Sequence, residues 1–323
     1  MIVGQDRATL QFTSAWATRR LHHAWLLAGS RGVGKASFAH AAARRVLAEA
    51  AGPAFDLPGL ETSDAHPIVR LVEAGSHPDM RRLVRLTNEK TGNVNRSIKV
   101  EQVRELSEFM GMTAGLSPWR VVIIDSVDDL ETSGANALLK ILEEPPPNSL
   151  FFLVSHAPGR LLPTIRSRCR RLDFAALDDD AMTSVLETHA AGVTAAERTR
   201  IVGMSFGSAG RALAFAELGL AKLEDAAVAI LRQGDPTNAR RSELAQDLGK
   251  KTSADRYAAF LELAPSLIAR EARSLTGDRL ERALDAYAKA RELASIAPRL
   301  SLDPAATVFQ VGGILAEAAP PLP

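Results

Sequence analysis

Gly29-Ser30-Arg31-Gly32-Val33-Gly34-Lys35 is the stretch on which the fold turns. Ahead of it stands Ala24-Trp25-Leu26-Leu27-Ala28, a short apolar run that reads as a buried strand entering a turn. Behind it, residues 36–51 are rich in alanine and read as a helix. A glycine-rich turn from strand to helix is a place where backbone N–H groups wrap a phosphate, with the helix N-terminus favouring its charge. Gly29, Gly32 and Gly34 allow close approach, and Lys35 would neutralise β- and γ-phosphates. The bland alternative is a strand-to-helix turn that holds no ligand.

Further along, Arg120-Val121-Val122-Ile123-Ile124 is a β-branched strand that ends in Asp125, and residues 150–154 form another apolar run. Residues 81–86 read as a strand and 87–97 as a polar loop or hairpin. Helices are expected at 10–17, 100–110 and 133–142, the last stopped by Pro145-Pro146-Pro147. Short apolar strands alternating with helices predict a parallel α/β sheet. Residues 52–75 contain Pro53, Pro58 and Pro67 and read as a surface connection with a short helix near 68–74. After Phe174 the pattern is helical, over 177–189 and 195–204. From Leu218 onward Leu223, Ala227, Ile230 and Leu231 keep helical spacing, and Gly234, Gly249 and Gly277 punctuate the helices. Residues 320–323 are expected to fray. The expected class is α/β plus all-α, with boundaries at 1–174, 175–217 and 218–323.

The 323 residues admit two or three domains. A net charge of +1 excludes a chain that holds nucleic acid through global basicity, so any such contact is local or shared. The single cysteine, Cys169, excludes an internal disulfide and a cysteine-based zinc site, and packing is its expected role. No basic-then-apolar leader is seen, and no apolar run approaches the ~20 residues of a membrane span. A cytoplasmic location is expected.

The phosphate loop is incomplete. Its motif ordinarily ends in Lys-Ser or Lys-Thr, whose hydroxyl ligates Mg²⁺. Here Ala36 follows Lys35. Ser37 points ~100° further round the helix and cannot stand in. Asp125 occupies the metal position of the second strand, or merely caps the strand end in the bland reading. Ser126 follows it, and Asp128 and Asp129 are read as lying beyond the strand end.

Leu138-Leu139-Lys140-Ile141-Leu142-Glu143-Glu144-Pro145-Pro146 and Ile165-Arg166-Ser167-Arg168-Cys169 complete a pattern. With the loop, the strand at 121–125, Val3-Gly4-Gln5 and Ser76-His77-Pro78-Asp79, they resemble the clamp-loader branch of the AAA+ ATPases. Within that branch the resemblance is to the delta-prime family of bacterial DNA polymerase III. It covers roughly residues 1–215, while the remaining third matches only in being helical. It implies an AAA+ P-loop core, a small helical lid and a C-terminal helical collar that holds an assembly together. In AAA+ enzymes a glutamate usually follows the second-strand aspartate and polarises the attacking water, so Ser126 is a departure. Ser155 falls at the family's sensor of the γ-phosphate, and Arg211, within Gly207-Ser208-Ala209-Gly210-Arg211, at the start of the sensor-2 helix. Arg168 falls at the arginine finger directed into the next subunit's site. Many relatives carry four cysteines between loop and second strand and bind zinc; this chain has none there, so no zinc is expected.

What the resemblance implies is a stator subunit of the DNA polymerase III clamp loader. It would help load the sliding clamp on primed DNA during replication without turning over ATP itself. Its implied partners are gamma/tau and delta subunits, the sliding clamp (beta), and primer–template DNA through the complex, with no membrane. No cofactor is required, and weak ATP or ADP binding is compatible with the loop that remains. The alternatives are an ATP-hydrolysing gamma/tau-type subunit, another AAA+ ATPase, or a small-molecule P-loop kinase. The kinase reading accounts for neither the Ser-Arg-Cys element nor the helical C-terminal third.

Overall fold

Five short segments become parallel strands: β1 (Ala24–Gly29), β2 (Met80–Leu83), β3 (Arg120–Asp125), β4 (Ser149–Ser155) and β5 (Arg170–Phe174). Their order in the sheet is β2-β3-β4-β1-β5, with Leu26 and Ile124 both in register with Leu153. The computed structural model describes residues 2–52, 55–88, 92 and 94–320. It divides into two units, Met1–Ala181 with Gly207–Gly210, and Met182–Phe206 with Arg211–Pro323. The expected parallel sheet is therefore present in the first unit and the all-α portion in the second.

Strand alternation sends Trp25, Leu27, Val121, Ile123, Phe152 and Val154 to one face of the sheet. There they meet α1 (Asp6–Ala17), α2 (Lys35–Ala51) and α3 (Pro67–Glu73). Leu26, Val122, Ile124, Phe151 and Leu153 go to the other face, against α4 (Val100–Gly111), α5 (Thr132–Glu143) and α6 (Pro163–Ser167). Both faces are sealed, which is why these strands read as continuous apolar runs. Phe12 of α1 anchors the first face, its ring 5.3 Å from Trp25 and 5.5 Å from Phe152. β1 leaves the sheet into α2 on one face and β4 into α6 on the other. Their shared carboxyl end is thus the topological switch point, where open α/β sheets bind ligands.

Two elements differ from the sequence reading. The second strand is Met80–Leu83, ending where the Val84 carbonyl accepts from Gln102 Nε2 at 3.1 Å. The expected hairpin includes residues 89–91 and 93, which lie outside the described residues; around them Thr87 and Val94 form an antiparallel bridge. The segment expected as a surface connection packs on the core through Phe55, Leu60, Ile68, Val69 and Val72. Arg45 of α2 secures it, donating to the carbonyls of Phe55 (3.1 Å), Leu57 (3.1 Å) and Glu61 (2.6 Å) while pairing with Glu49 at 2.6 Å. Residues 53–54 and 321–323, the latter within the stretch expected to fray, also lie outside the described residues.

The second unit contains most of α7 (Asp179–His189) and α9 (Ala209–Glu217), with α8 (Ala195–Ser205), α10 (Ala221–Gln233), α11 (Ala239–Leu248), α12 (Ala254–Ala272), α13 (Asp278–Leu300) and α14 (Pro304–Glu317). Its core includes Ile230, Phe260, Leu263, Leu267, Val308 and Leu315. Alanines 283, 286, 290 and 297 give α13 a buried small-residue face. Buried Glu224 accepts from Arg200 at 2.9 Å and Arg270 at 3.0 Å, which ties α8, α10 and α12 together.

Ser76-His77-Pro78-Asp79 has a structural role. Asp79 is buried, and its carboxylate accepts from the backbone N–H groups of Gly115 (2.6 Å), Leu116 (2.7 Å) and Ser117 (2.9 Å). Its own carbonyl accepts from Val121 N–H at 2.9 Å, so this residue sets the entry of β3. Burial alone would raise its pKa, but the three N–H bonds and nearby His77 outweigh that and hold it below the usual carboxylate value. Stability from such a group is complete above the unfolded pKa and is lost as pH falls through the folded one. Asp79→Asn is expected to cost about 1–3 kcal/mol at neutral pH, with the difference from wild type shrinking as pH drops below ~4. The three tryptophans (16, 25 and 119) all lie in the first unit, so denaturant unfolding followed by tryptophan fluorescence measures it. An unchanged difference at acid pH would assign Asp79 another role.

Candidate functional site

The carboxyl ends of β1, β3 and β4 bring the phosphate loop, Asp125 and Ser155 to one edge of the first unit. Gly32 and Gly34 have φ of +79° and +95°, the left-handed region that glycine enters without strain. A Cβ on Gly32 would lie 2.2 Å from Ser208 Oγ, so the loop also needs glycine there for space. Ser208 Oγ donates to the Arg31 carbonyl at 3.0 Å, and Gly210 N–H to the Gly32 carbonyl at 2.9 Å. Residues 207–210 are thereby stitched to the loop. On the opposite side Gln5, buried, donates to the carbonyls of Val33 (3.1 Å) and Ala175 (2.9 Å). The N-terminal element is a strut for the loop.

Lys35 is turned inward. It is 3% exposed and its Nζ donates to the carbonyls of Gly29, at 2.7 Å, and Ser30. Burial pushes its pKa from the ordinary 10.5 down to about 8, with Asp128 and Asp125 opposing the fall. The ammonium therefore fills its own loop.

The acids at the end of β3 and just beyond it are each engaged. Asp125 Oδ2 receives Arg82 Nη2 at 2.8 Å. Asp129 pairs with Arg85 at 3.3 Å. Asp128, read from sequence as lying outside the site, is its organiser: the turn Val127–Asp129 swings it back to accept from Ser155 Oγ at 2.8 Å and from the backbone N–H of His156. His156 is exposed; partial desolvation and then Lys35 lower its pKa, with Asp128 opposing the fall. Ser126 is buried, its Oγ has no hydrogen-bond partner among the described residues, and a serine offers no carboxylate to polarise water. Ala36 offers no oxygen and Ser37 is exposed on the helix surface. These residues do not fit a magnesium ion: the hydroxyl ligand is missing and the carboxylate is paired with a guanidinium.

The other two sequence-predicted residues are Arg211 and Arg168. Arg211 belongs to the second unit, where its Nε is 3.3 Å from Glu262 of α12. Arg168 follows α6 and precedes β5, at the amino edge of the sheet. Because Trp25 pairs with Arg170 and Gly29 with Phe174, a strand length of roughly 15 Å separates that edge from the phosphate loop. Arg168 Nη2 contacts Glu143 Oε1 at 2.7 Å, and its Nη1 donates to the Thr164 carbonyl at 2.9 Å. The pair joins the two motifs that sequence reading treated separately. Burial pushes the Cys169 thiol up to about 12, in keeping with packing against the α4–α6 side.

The buried ammonium has a measurable signature. With a folded pKa near 8 and an ordinary value of 10.5, both states hold the proton below pH 8, and the folded state then bears the desolvation penalty. Between those values the unfolded state binds more protons, so stability rises with pH. Lys35→Met is expected to stabilise the ligand-free chain at pH 7, and that advantage to fade as pH climbs from about 8 to ~10.4. Parallel melts of the two proteins across this range check it; a destabilised variant at pH 7 would show that the two carbonyl bonds outweigh the burial of the charge.

Residues 4–178, more than half of the chain, match the family model described as DNA polymerase III, delta subunit. The chain is 39% identical over 150 residues to "DNA polymerase III subunit delta'" of Pseudomonas aeruginosa, covering 46% of this chain and 41% of that protein. It is 35% identical over 185 residues to the gamma/tau subunit of Mycobacterium tuberculosis, covering 57% and 30% respectively. The chain thus spans less than half the length of these curated relatives. Among solved structures, a gamma subunit-related protein of Thermotoga maritima aligns with a TM-score of 0.46 and 15% identity, over 94% of this chain and 98% of that one. No helix among the described residues is long and apolar enough to cross a membrane. On the family match across its P-loop unit, the chain belongs to the DNA polymerase III, delta subunit family, among clamp-loader proteins of the delta-prime and gamma/tau type.

Proposed function

We propose that this chain is a delta-prime-type stator of a DNA polymerase III clamp loader, helping to load the sliding clamp on primed DNA. It acts on ATP only by lending Arg168 to a neighbouring subunit. The observation that carries this reading is the separation of Arg168 from its own loop by the length of the sheet, which leaves a site in another chain as its target. A guanidinium suits that role because it is always charged and its planar fork matches phosphate oxygens. Its tether to Glu143 is half-exposed, and such pairs are worth only ~0–1 kcal/mol, so release toward a neighbour is cheap. The neighbours would be gamma/tau and delta subunits, with the C-terminal helices of the second unit as the assembly surface and a cytoplasmic setting. Weak ATP or ADP binding at the loop, without zinc anywhere in the chain, completes the reading.

A gamma/tau-type motor is the second reading, favoured by the 35% identity to the mycobacterial gamma/tau subunit. Ala36 and Ser126 stand against it, since each removes a group that phosphoryl transfer uses. Steady-state phosphate release by the isolated chain is expected to stay at background with Mg²⁺ present. Turnover near ~1 s⁻¹ that disappears in Lys35→Ala would establish the motor reading instead.

Arg168→Ala is expected to leave the chain folded and incorporated, yet to lower clamp- and DNA-stimulated ATPase of the reconstituted assembly roughly 2- to 10-fold, less than the ~10³–10⁵ of a finger acting alone at one site. Arg168→Lys should restore little, because an ammonium lacks the fork. Glu143→Gln, which loosens only the tether, should keep near wild-type rates. Full activity of the Arg168→Ala assembly would return this residue to a solvated basic surface.

A further inference from the structure

β2 is the edge strand beside β3, and its Met80-Arg81-Arg82-Leu83 sequence is followed by Val84-Arg85. Arg81 turns away and lies over the Phe109 ring, 4.5 Å from its centroid. Arg82 and Arg85 instead reach the acids at the end of β3, at Asp125 and Asp129. Asp128 is committed to Ser155 Oγ and to backbone N–H groups. Each of the three carboxylates at the end of β3 and just beyond it thus has a partner within the chain. The Asp125 side chain is 20% exposed and that of Arg82 52%, so the guanidinium lies on the solvent side of the carboxylate.

We propose that Arg82 is the resident cation of the second-strand position: it neutralises Asp125 and closes it to divalent ions, so that a nucleoside diphosphate entering this loop does so without a metal. A hard divalent cation takes oxygen ligands and is held in phosphate sites by one or two carboxylates and the ligand's phosphates. Displacing the exposed guanidinium from Asp125 would itself cost little, but a divalent ion there would still lie beside that positive charge. The guanidinium can meet phosphate oxygens bidentately, and Lys35 adds a second donor only once it leaves the Gly29 and Ser30 carbonyls. The missing hydroxyl at Ala36 and the paired carboxylate at Asp125 are two separate obstacles to a metal, and repairing one leaves the other. The inference concerns the loop alone and is independent of whether Arg168 serves a neighbour.

The test is therefore a pair of repairs in the full-length chain, read as the gain in ADP affinity when EDTA is replaced by Mn²⁺ in calorimetric titrations. Wild type and Ala36→Thr are expected to show no gain. Ala36→Thr with Arg82→Ala should show a gain of about 10-fold or more, the scale on which metal-site partners act, and adding Asp125→Asn should cancel it. Arg82→Gln in place of Arg82→Ala repeats the experiment with a side chain that keeps polarity and most of the length. A metal-dependent gain in wild type or in Ala36→Thr alone would overturn the proposal. So would a folded double variant, with either alanine or glutamine at position 82, that shows none.

Discussion

Sealing both faces of the sheet is the constraint from which the rest of the first unit follows. With α1–α3 on one side and α4–α6 on the other, the strand interiors offer no surface for chemistry. Polar groups are confined to the strand ends, and parallel strands make the two ends unlike. The carboxyl edge gathers the phosphate loop, Asp125 and Ser155. The amino edge carries Arg168, with Asp79 fixing the entry of β3. A residue is committed to one edge by the strand it adjoins, and a change of rotamer cannot carry it across a strand length.

Electrostatic closure marks the carboxyl edge. Lys35 lies on backbone carbonyls, Asp125 on Arg82, Asp128 on Ser155 and backbone N–H groups, and Asp129 on Arg85. A phosphate site needs positive charge and N–H groups left facing an empty space. Here the principal cation is folded back and the acids are satisfied internally. The cost of that arrangement falls on the lysine, whose charged form is disfavoured by burial.

The sheet was readable because fully buried parallel strands are continuous apolar runs, as in Val121–Ile124 and Leu150–Val154. β5 was not, since three of its five residues, Arg170, Arg171 and Asp173, are exposed on an edge strand. The loop glycines, Lys35 and Asp125 could be located by local pattern. Their partners could not: Arg82 meets a residue 43 positions away, and a pair of arginines in sequence looks like a solvated face. Asp128 joined the site only through a turn too short to leave a periodic signal. Glu143 and Arg168 both stood in motifs that sequence reading quoted, but their contact depends on how α5 lies beside α6.

Arg45 has a wider meaning for residues 55–61. Here one guanidinium spans three carbonyls of the excursion and a carboxylate of its own helix. That closure requires no ion uptake, no thiolate and no reducing surroundings. The path of residues 55–61 thereby hangs on one side chain of α2, and a change at position 45 would be felt along the whole excursion.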